Sequence, residues 1–204
     1  MKNINIPSSN LGHYTIPEDC LRNVCVDIGA NIGDFTVSQA SNFKTLHFYE
    51  PFKPCFDKIQ DRVKDLNNVK GFNEAVYKES GLQLPMIAHL NNDAGSNALK
   101  TDAINEHWVE ELDLVTTVSF SDILSRVGGR INYLKVDCET SEYYLFIDQD
   151  LSSVDYIGIE LHHQMGIEKY NKLIEHILQT HSSTENTDFI FDINREILFK
   201  NNLL

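Results

Sequence analysis

Apolar and polar positions alternate in short, regular blocks through the first third of the chain. Val24, Val26 and Ile28 form a brief apolar run that predicts a strand buried in a parallel sheet, about Asn23 to Ile28. A helix pattern begins at once, about Ile32 to Ser41, and a second strand follows from Lys44 to Tyr49. Pro51 and Pro54 mark the entry to a further helix, whose apolar stripe is Phe56, Ile59, Val63 and Leu66. Asn67-Asn68 ends it, and Val69 to Asn73 reads as strand three. This βαβαβ order predicts an α/β fold with a doubly wound parallel sheet and right-handed crossovers.

The rhythm then changes. Ala75–Tyr77 and Leu82–Ala88 flank Glu79-Ser80-Gly81, the pattern of a hairpin. Residues 89–113 lack a clean period; a long loop in a compact domain is usually functional or disordered, and this one is expected as a lid or acceptor wall, with simple disorder the alternative. Val115 to Val118 is a short strand; Ser119 or Ser121 caps a helix over Asp122–Val127, and Gly128-Gly129 closes it. Ile131 to Val136 is a buried strand running into Asp137-Cys138-Glu139, after which Ser141 and Glu142 open a helix. Val154 to Ile159 is a further strand ending at Glu160, and a helix covers Glu168–Thr180. Phe189–Ile193 and Ile197–Phe199, joined by Asn194-Arg195-Glu196, predict a closing antiparallel hairpin. Residues 1–19 are mixed, and Tyr14-Thr15-Ile16-Pro17 is expected as a short extended cover over the ligand site. No linker or internal repeat divides the chain, so residues 1–204 are read as a single domain.

Charge narrows the partners. A formal net charge of −13 disfavours nucleic acid and anionic membrane surfaces. No apolar leader or membrane-spanning run is visible. Cys20, Cys25, Cys55 and Cys138 form no CxxC pair; Cys25 and Cys138 lie inside apolar strand patterns and read as buried free thiols. A cytoplasmic location is expected.

The candidate chemistry sits at strand ends. In Asp27-Ile28-Gly29-Ala30-Asn31-Ile32-Gly33, Gly29 allows a turn that a side chain would block and Gly33 lets the helix pack close to the strand. Backbone N–H groups at the helix start are then expected to face a ligand. Asp27 lies under this loop. Glu50, at the end of the second strand, is placed to accept hydrogen bonds from both ribose hydroxyls of a nucleoside. Asn73-Glu74 is placed to meet an adenine edge. Lys135, Asp137 and Glu139 alternate, so an extended strand would turn all three to one face. Glu160 and His162 end the expected neighbouring strand. Such a cluster suits a general base, orientation of an acceptor hydroxyl, or a divalent ion, although no metal-ligand set is predicted. His13, His47, His89, His107, His176 and His181 are expected as surface or satisfied histidines.

Four segments together resemble one family. Val26-Asp27-Ile28-Gly29-Ala30-Asn31-Ile32-Gly33, Tyr49-Glu50-Pro51, Leu134-Lys135-Val136-Asp137-Cys138-Glu139-Thr140-Ser141-Glu142 and Ile159-Glu160-Leu161-His162 are similar to the FkbM-type S-adenosylmethionine-dependent methyltransferases. The resemblance covers about Tyr14 to His162. The first segment is shared by many methyltransferases, and the K-x-D-x-E-x-x-E segment makes the combination specific. One departure is that Thr140 stands where the family usually has glycine.

The resemblance implies a Rossmann-like class I methyltransferase fold, with a mostly parallel seven-stranded sheet and an antiparallel C-terminal hairpin. It also implies S-adenosyl-L-methionine as cofactor, with S-adenosyl-L-homocysteine as product. Asp27, Gly29, Asn31, Gly33, Glu50, Asn73 and Asp137 would bind the cofactor. Asp137, Glu139 and His162 would serve catalysis. The implied reaction is O-methylation of a sugar, glycan or natural-product-like hydroxyl. Two other readings are weighed beside it. A nicotinamide-dependent oxidoreductase also places an acid after strand two, but Asn31 replaces the second glycine of its fingerprint. A non-catalytic scaffold that binds the cofactor is the other. An RNA methyltransferase is disfavoured by the acidic charge.

Overall fold

A computed structural model describes residues 14–89, 97–101, 108–184 and 195–204. Its elements in chain order are β1 (Val24–Ile28), α1 (Asp34–Gln39), β2 (Thr45–Tyr49), α2 (Lys53–Val63), β3 (Val69–Phe72), β4 (Ala75–Val76), β5 (Gln83–His89), β6 (Ala98–Leu99), β7 (Trp108–Val118), α3 (Phe120–Arg126), β8 (Ile131–Val136), α4 (Glu142–Phe146), β9 (Val154–Leu161), α5 (Ile167–Leu178), β10 (His181–Ser183) and β11 (Arg195–Asn201).

The main sheet has seven strands in the order β10-β11-β9-β8-β1-β2-β3. Strands β9, β8, β1, β2 and β3 run parallel, and β11 joins β9 antiparallel, as expected for the Rossmann-like class. The order of strands reverses between β1 and β8, which opens a crevice at their carboxyl ends. All six residues of β8 are buried, and Cys25 and Val26 of β1 are fully so. One face of the sheet carries Val26, Ile28, Leu134, Ile157 and Ile159 against α3, α4 and α5; the other carries Cys25, Leu46, Phe48 and Tyr133 against α1 and α2.

Several expectations shift in the details. Helix α1 is only six residues long and starts from Gly33, whose φ of 84° breaks the helix on its N-terminal side. In α2 the buried stripe is Cys55, Ile59 and Val63, at helical spacing of four; Phe56 is half-buried and Leu66, beyond the helix, is exposed. The predicted hairpin of Ala75–Tyr77 with Leu82–Ala88 does not form. Strand β7 lies between β4 and β5 in a separate four-stranded sheet of order β4-β7-β5-β6. The Glu79–Leu82 turn wraps the end of β7: Thr117 Oγ1 donates to Glu79 O and accepts from Leu82 N, and Gly81 N donates to Thr117 O. Strand β7 begins at Trp108, not Val115; Asp113 and Leu114 are exposed, so this stretch carries no simple alternation. Residues 90–96 and 102–107 of the expected lid lie outside the described residues, as do the first 13 residues. The expected hairpin arm Phe189–Ile193 does too; among the described residues β10 pairs antiparallel with β11.

Ser119 caps α3, its hydroxyl accepting from Asp122 N, and Gly128 and Gly129 follow with φ of 84° and 89°. No helix among the described residues is long and apolar enough to cross a membrane. The four cysteines form no disulfide among the described residues; Cys20, Cys25 and Cys55 are buried, whereas Cys138 is only half-buried. His47 is buried with Nδ1 unpartnered, and burial pushes its pKa down to about 4, unlike the satisfied histidine expected.

Candidate active site

Gly29 follows β1 with a φ of 72°, and a Cβ there would overlap the carbonyl oxygen of Asp137. Only a bare backbone lets the first turn lie against the end of β8. Four N–H groups of this turn are engaged internally. Gly29 N and Ala30 N both donate to Tyr49 O, and Gly33 N donates to Ala30 O. Asn31 N donates to Glu50 Oε2 at 2.7 Å. Glu50 Oε1 accepts Phe52 N at 2.8 Å, so one carboxylate ties the turn after β1 to the entry of α2. Each oxygen keeps acceptor capacity for a ligand. Burial drives the Glu50 pKa up to about 8, against the lowering effect of those two N–H groups.

Gly29, Asn31, Tyr49 and Glu50 line a cleft at the carboxyl edge of the sheet. Its walls are Gly29, Asn31, Glu50 and Pro51 on one side, apolar Ala75, Val76, Met86 and Leu99 from the smaller sheet on another, and Asp137, Cys138, Glu139 and Ser141 at the end of β8. The remaining expected binders stand behind the wall. Asp27 is fully buried; its Oδ2 accepts from Thr36 Oγ1 at 2.6 Å and its Oδ1 is 3.3 Å from Lys135 Nζ. Gly33 packs on Ile59. Asn73 Nδ2 donates to Glu50 O and Pro51 O, both at 2.8 Å, and so fixes the backbone of Glu50. Glu74 lines the cleft and is paired with Arg126. Tyr14 lies elsewhere than expected, over Lys135 and beside Phe35, lining a second cavity with Tyr133 and Gly158.

The acid cluster assembles, but not by strand alternation. Strand β8 stops at Val136, and Glu139 and Thr140 both take left-handed conformations with φ of 50° and 78°. The chain turns there instead of extending. Asp137 Oδ2 is 3.6 Å from Lys135 Nζ, and that ammonium also donates to Gly29 O at 2.7 Å. Lys135 is buried; its pKa nevertheless rises, because Asp27 and Asp137 outweigh desolvation. Glu139 Oε2 and Glu160 Oε1 lie 3.4 and 3.7 Å from His162 Nε2. Glu142 Oε1 lies 2.8 Å from His162 Nδ1 and also accepts Cys138 N. Burial alone would lower the His162 pKa, and the carboxylates of Glu142, Glu139 and Asp137 hold it well above the ordinary imidazole value. Burial raises Glu139 to about 8. The site thus offers a polar pocket beside an apolar one, ending at an acidic rim.

Sequence reasoning placed Glu142 at a helix start and as the last acid of the K-x-D-x-E-x-x-E segment but gave it no role, and it did not find the small-sheet wall of Ala75, Met86 and Leu99. Glu142 opens α4 yet is fully buried, and its distance from His162 along the chain hides their contact.

A family model described as the methyltransferase FkbM domain matches residues 27–191. No curated protein matches the chain. Among solved structures, an rRNA methylase from Streptococcus thermophilus is 7% identical with a TM-score of 0.47, over 88% of this chain and 87% of that one. The bifunctional kinase-methyltransferase WbdD is 10% identical with a TM-score of 0.47, over 88% of this chain and 34% of that one. TrmK of M. capricolum, solved with S-adenosyl-homocysteine, is 8% identical with a TM-score of 0.44, over 88% and 62%. The chain therefore spans about a third of WbdD.

Proposed function

The chain belongs to the methyltransferase FkbM domain family, and from that membership we propose that it is an S-adenosylmethionine-dependent O-methyltransferase. The acceptor in this reading is a hydroxyl of a sugar, glycan or natural-product-like small molecule. The observation that carries it is the single cleft shared by Gly29, Asn31 and Glu50, an apolar wall, and the acids Asp137 and Glu139.

The donor set fits the cofactor. Ala75, Val76, Met86 and Leu99 suit a flat apolar base, and the remaining lone pairs of Glu50 suit ribose hydroxyls. Asp137 and Glu139 suit the positive charge of a sulfonium. When bound, the cofactor supplies an electrophilic methyl group. Gly29 and Asn31 would hold its methionine end, and Asp27, Gly33 and Asn73 keep these groups in place from behind. One of Asp137 and Glu139 would take the proton of the acceptor hydroxyl while the other orients it, with His162 behind them. Nucleic acid is not the expected acceptor, because the net charge of −13 opposes phosphate backbones.

Titration calorimetry with S-adenosylmethionine, S-adenosylhomocysteine and NAD tests the reading. The first two should bind and NAD should not. Glu50→Ala should weaken cofactor binding roughly 10-fold or more, the cost of losing its hydrogen bonds to the ribose. Asp137→Ala should chiefly lower turnover. Unchanged affinity in Glu50→Ala removes the ribose assignment. Binding of NAD in place of S-adenosylhomocysteine removes the methyltransferase reading.

A further inference from the structure

The ends of β8 and β9 carry a feature that methyl transfer alone does not require. Asp137, Glu160 and His162 each offer one ligand atom, and these atoms lie within 4.8 Å of one another. Two ligand atoms each ~2.1 Å from a shared ion stand up to about 4.2 Å apart, so the trio needs only a small contraction to close on one.

The ring is already oriented for such a role, and the ion would take the place of the proton that the surrounding carboxylates favour on it. Glu142 Oε1 holds His162 Nδ1 at 2.8 Å, in a pair whose side chains are almost wholly buried. Nε2 is the nitrogen that faces Glu139 and Glu160. A carboxylate on the far nitrogen is the support that metal-bound histidines commonly have, because it orients the ring and strengthens the other nitrogen as a donor. Charge points the same way. The carboxylates of Asp137, Glu139, Glu142 and Glu160 gather about one imidazole and one ammonium, and Lys135 is shared with Asp27. A separate observation comes from the cleft side. Ser141 is 1% exposed and lines the cleft beside Asp137 and Glu139, and its hydroxyl oxygen has no hydrogen-bond partner. A buried oxygen left unpaired is costly unless a ligand or its bound water meets it.

We propose that Asp137, Glu160 and His162 form a binding site for one divalent cation of the Mg²⁺ and Mn²⁺ class, at the acidic edge of the cleft. Two carboxylates favour hard cations, and the imidazole favours Mn²⁺ among them. The ion balances the excess carboxylate charge. Its place beside Asp137 lets it hold the acceptor oxygen and ease loss of the hydroxyl proton. Only this last role rests on the O-methyltransferase reading; the binding itself does not.

The test is Mn²⁺ titration of the cofactor-free protein, followed by electron paramagnetic resonance and calorimetry. One saturable site per chain is expected. Glu160→Gln and His162→Gln should each weaken it at least 10-fold, with circular dichroism unchanged in the first, a partly exposed position. Asp57→Asn, on the exposed face of α2, should leave it unaltered. Unsaturable binding, or a site indifferent to Glu160→Gln, overturns the proposal. The two readings fail separately. A Glu160-dependent Mn²⁺ site in a chain that methylates no hydroxyl sinks only the O-methyl reading, whereas methyl transfer in a chain without that site sinks only the cation.

Discussion

Gly29 and Asp137 meet backbone against backbone: any side chain on Gly29 would overlap the Asp137 carbonyl oxygen. The contact joins the turn after β1 to the end of β8 and sets the mouth of the cleft between them.

Gly29→Ala should therefore be among the most damaging single changes. The obstacle is main chain in the middle of a parallel sheet, and alanine would also be held at positive φ. A loss of about 3 kcal/mol or more is expected in urea unfolding, at the upper end of overpacking costs. Cofactor affinity should fall with it.

Gly33→Ala meets a softer neighbour. The added Cβ would lie 2.8 Å from the Ile59 side chain, which a smaller residue can relieve. Gly33→Ala should cost about 1–3 kcal/mol. In a double-mutant cycle with Ile59→Val, the pair should cost less than the sum of the singles. Strict additivity would show that strain at Gly33 is local to its backbone.

Thr140 holds a β-branched residue at φ 78° with its buried hydroxyl unpartnered. Thr140→Gly should stabilise the protein by about 1 kcal/mol, by relieving left-handed strain of roughly 1–2 kcal/mol. Thr140→Ala keeps most of that strain and should gain less. Equal gains in denaturant melts would assign the effect to the hydroxyl instead.

Glu50 gives a pH signature. Its folded pKa of about 8 lies above the ordinary value of 4.5, so between those values the folded chain keeps a proton that the unfolded chain has lost. Its contribution to stability therefore falls as pH rises through that window. Glu50→Gln should flatten this part of the stability curve, measured as the difference in melting temperature between pH 5.5 and 8.5. Cofactor affinity in the unaltered protein should rise toward pH 8, as the ionised carboxylate becomes the better acceptor.

Thr36→Val tests whether Asp27 works from behind the wall. It removes the 2.6 Å hydrogen bond to a fully buried carboxylate and should cost roughly 2 kcal/mol. Cofactor affinity should change less than in Glu50→Ala, since Asp27 does not line the cleft.

The parallel sheet was legible because its strands are local: Val24–Ile28 and Ile131–Val136 are apolar runs that need no partner to be recognised. The glycine turn and the acids at strand ends were legible for the same reason. The smaller sheet was not. Strand β7 inserts between β4 and β5, pairing Thr117 with the distant Ala75, whereas the sequence pattern favours the nearest partner.

The sequence by itself determined which residues end buried strands, and therefore that Gly29, Glu50, Asp137 and His162 would share one edge of a sheet. Tertiary structure decided how each is used. It engaged the turn's N–H groups with Tyr49 and Glu50, turned the chain at Glu139 and Thr140, and drew Glu142 onto His162. The physical reason is that strand placement follows from local apolar spacing, while the partner of a buried polar group depends on what the fold brings within hydrogen-bond reach.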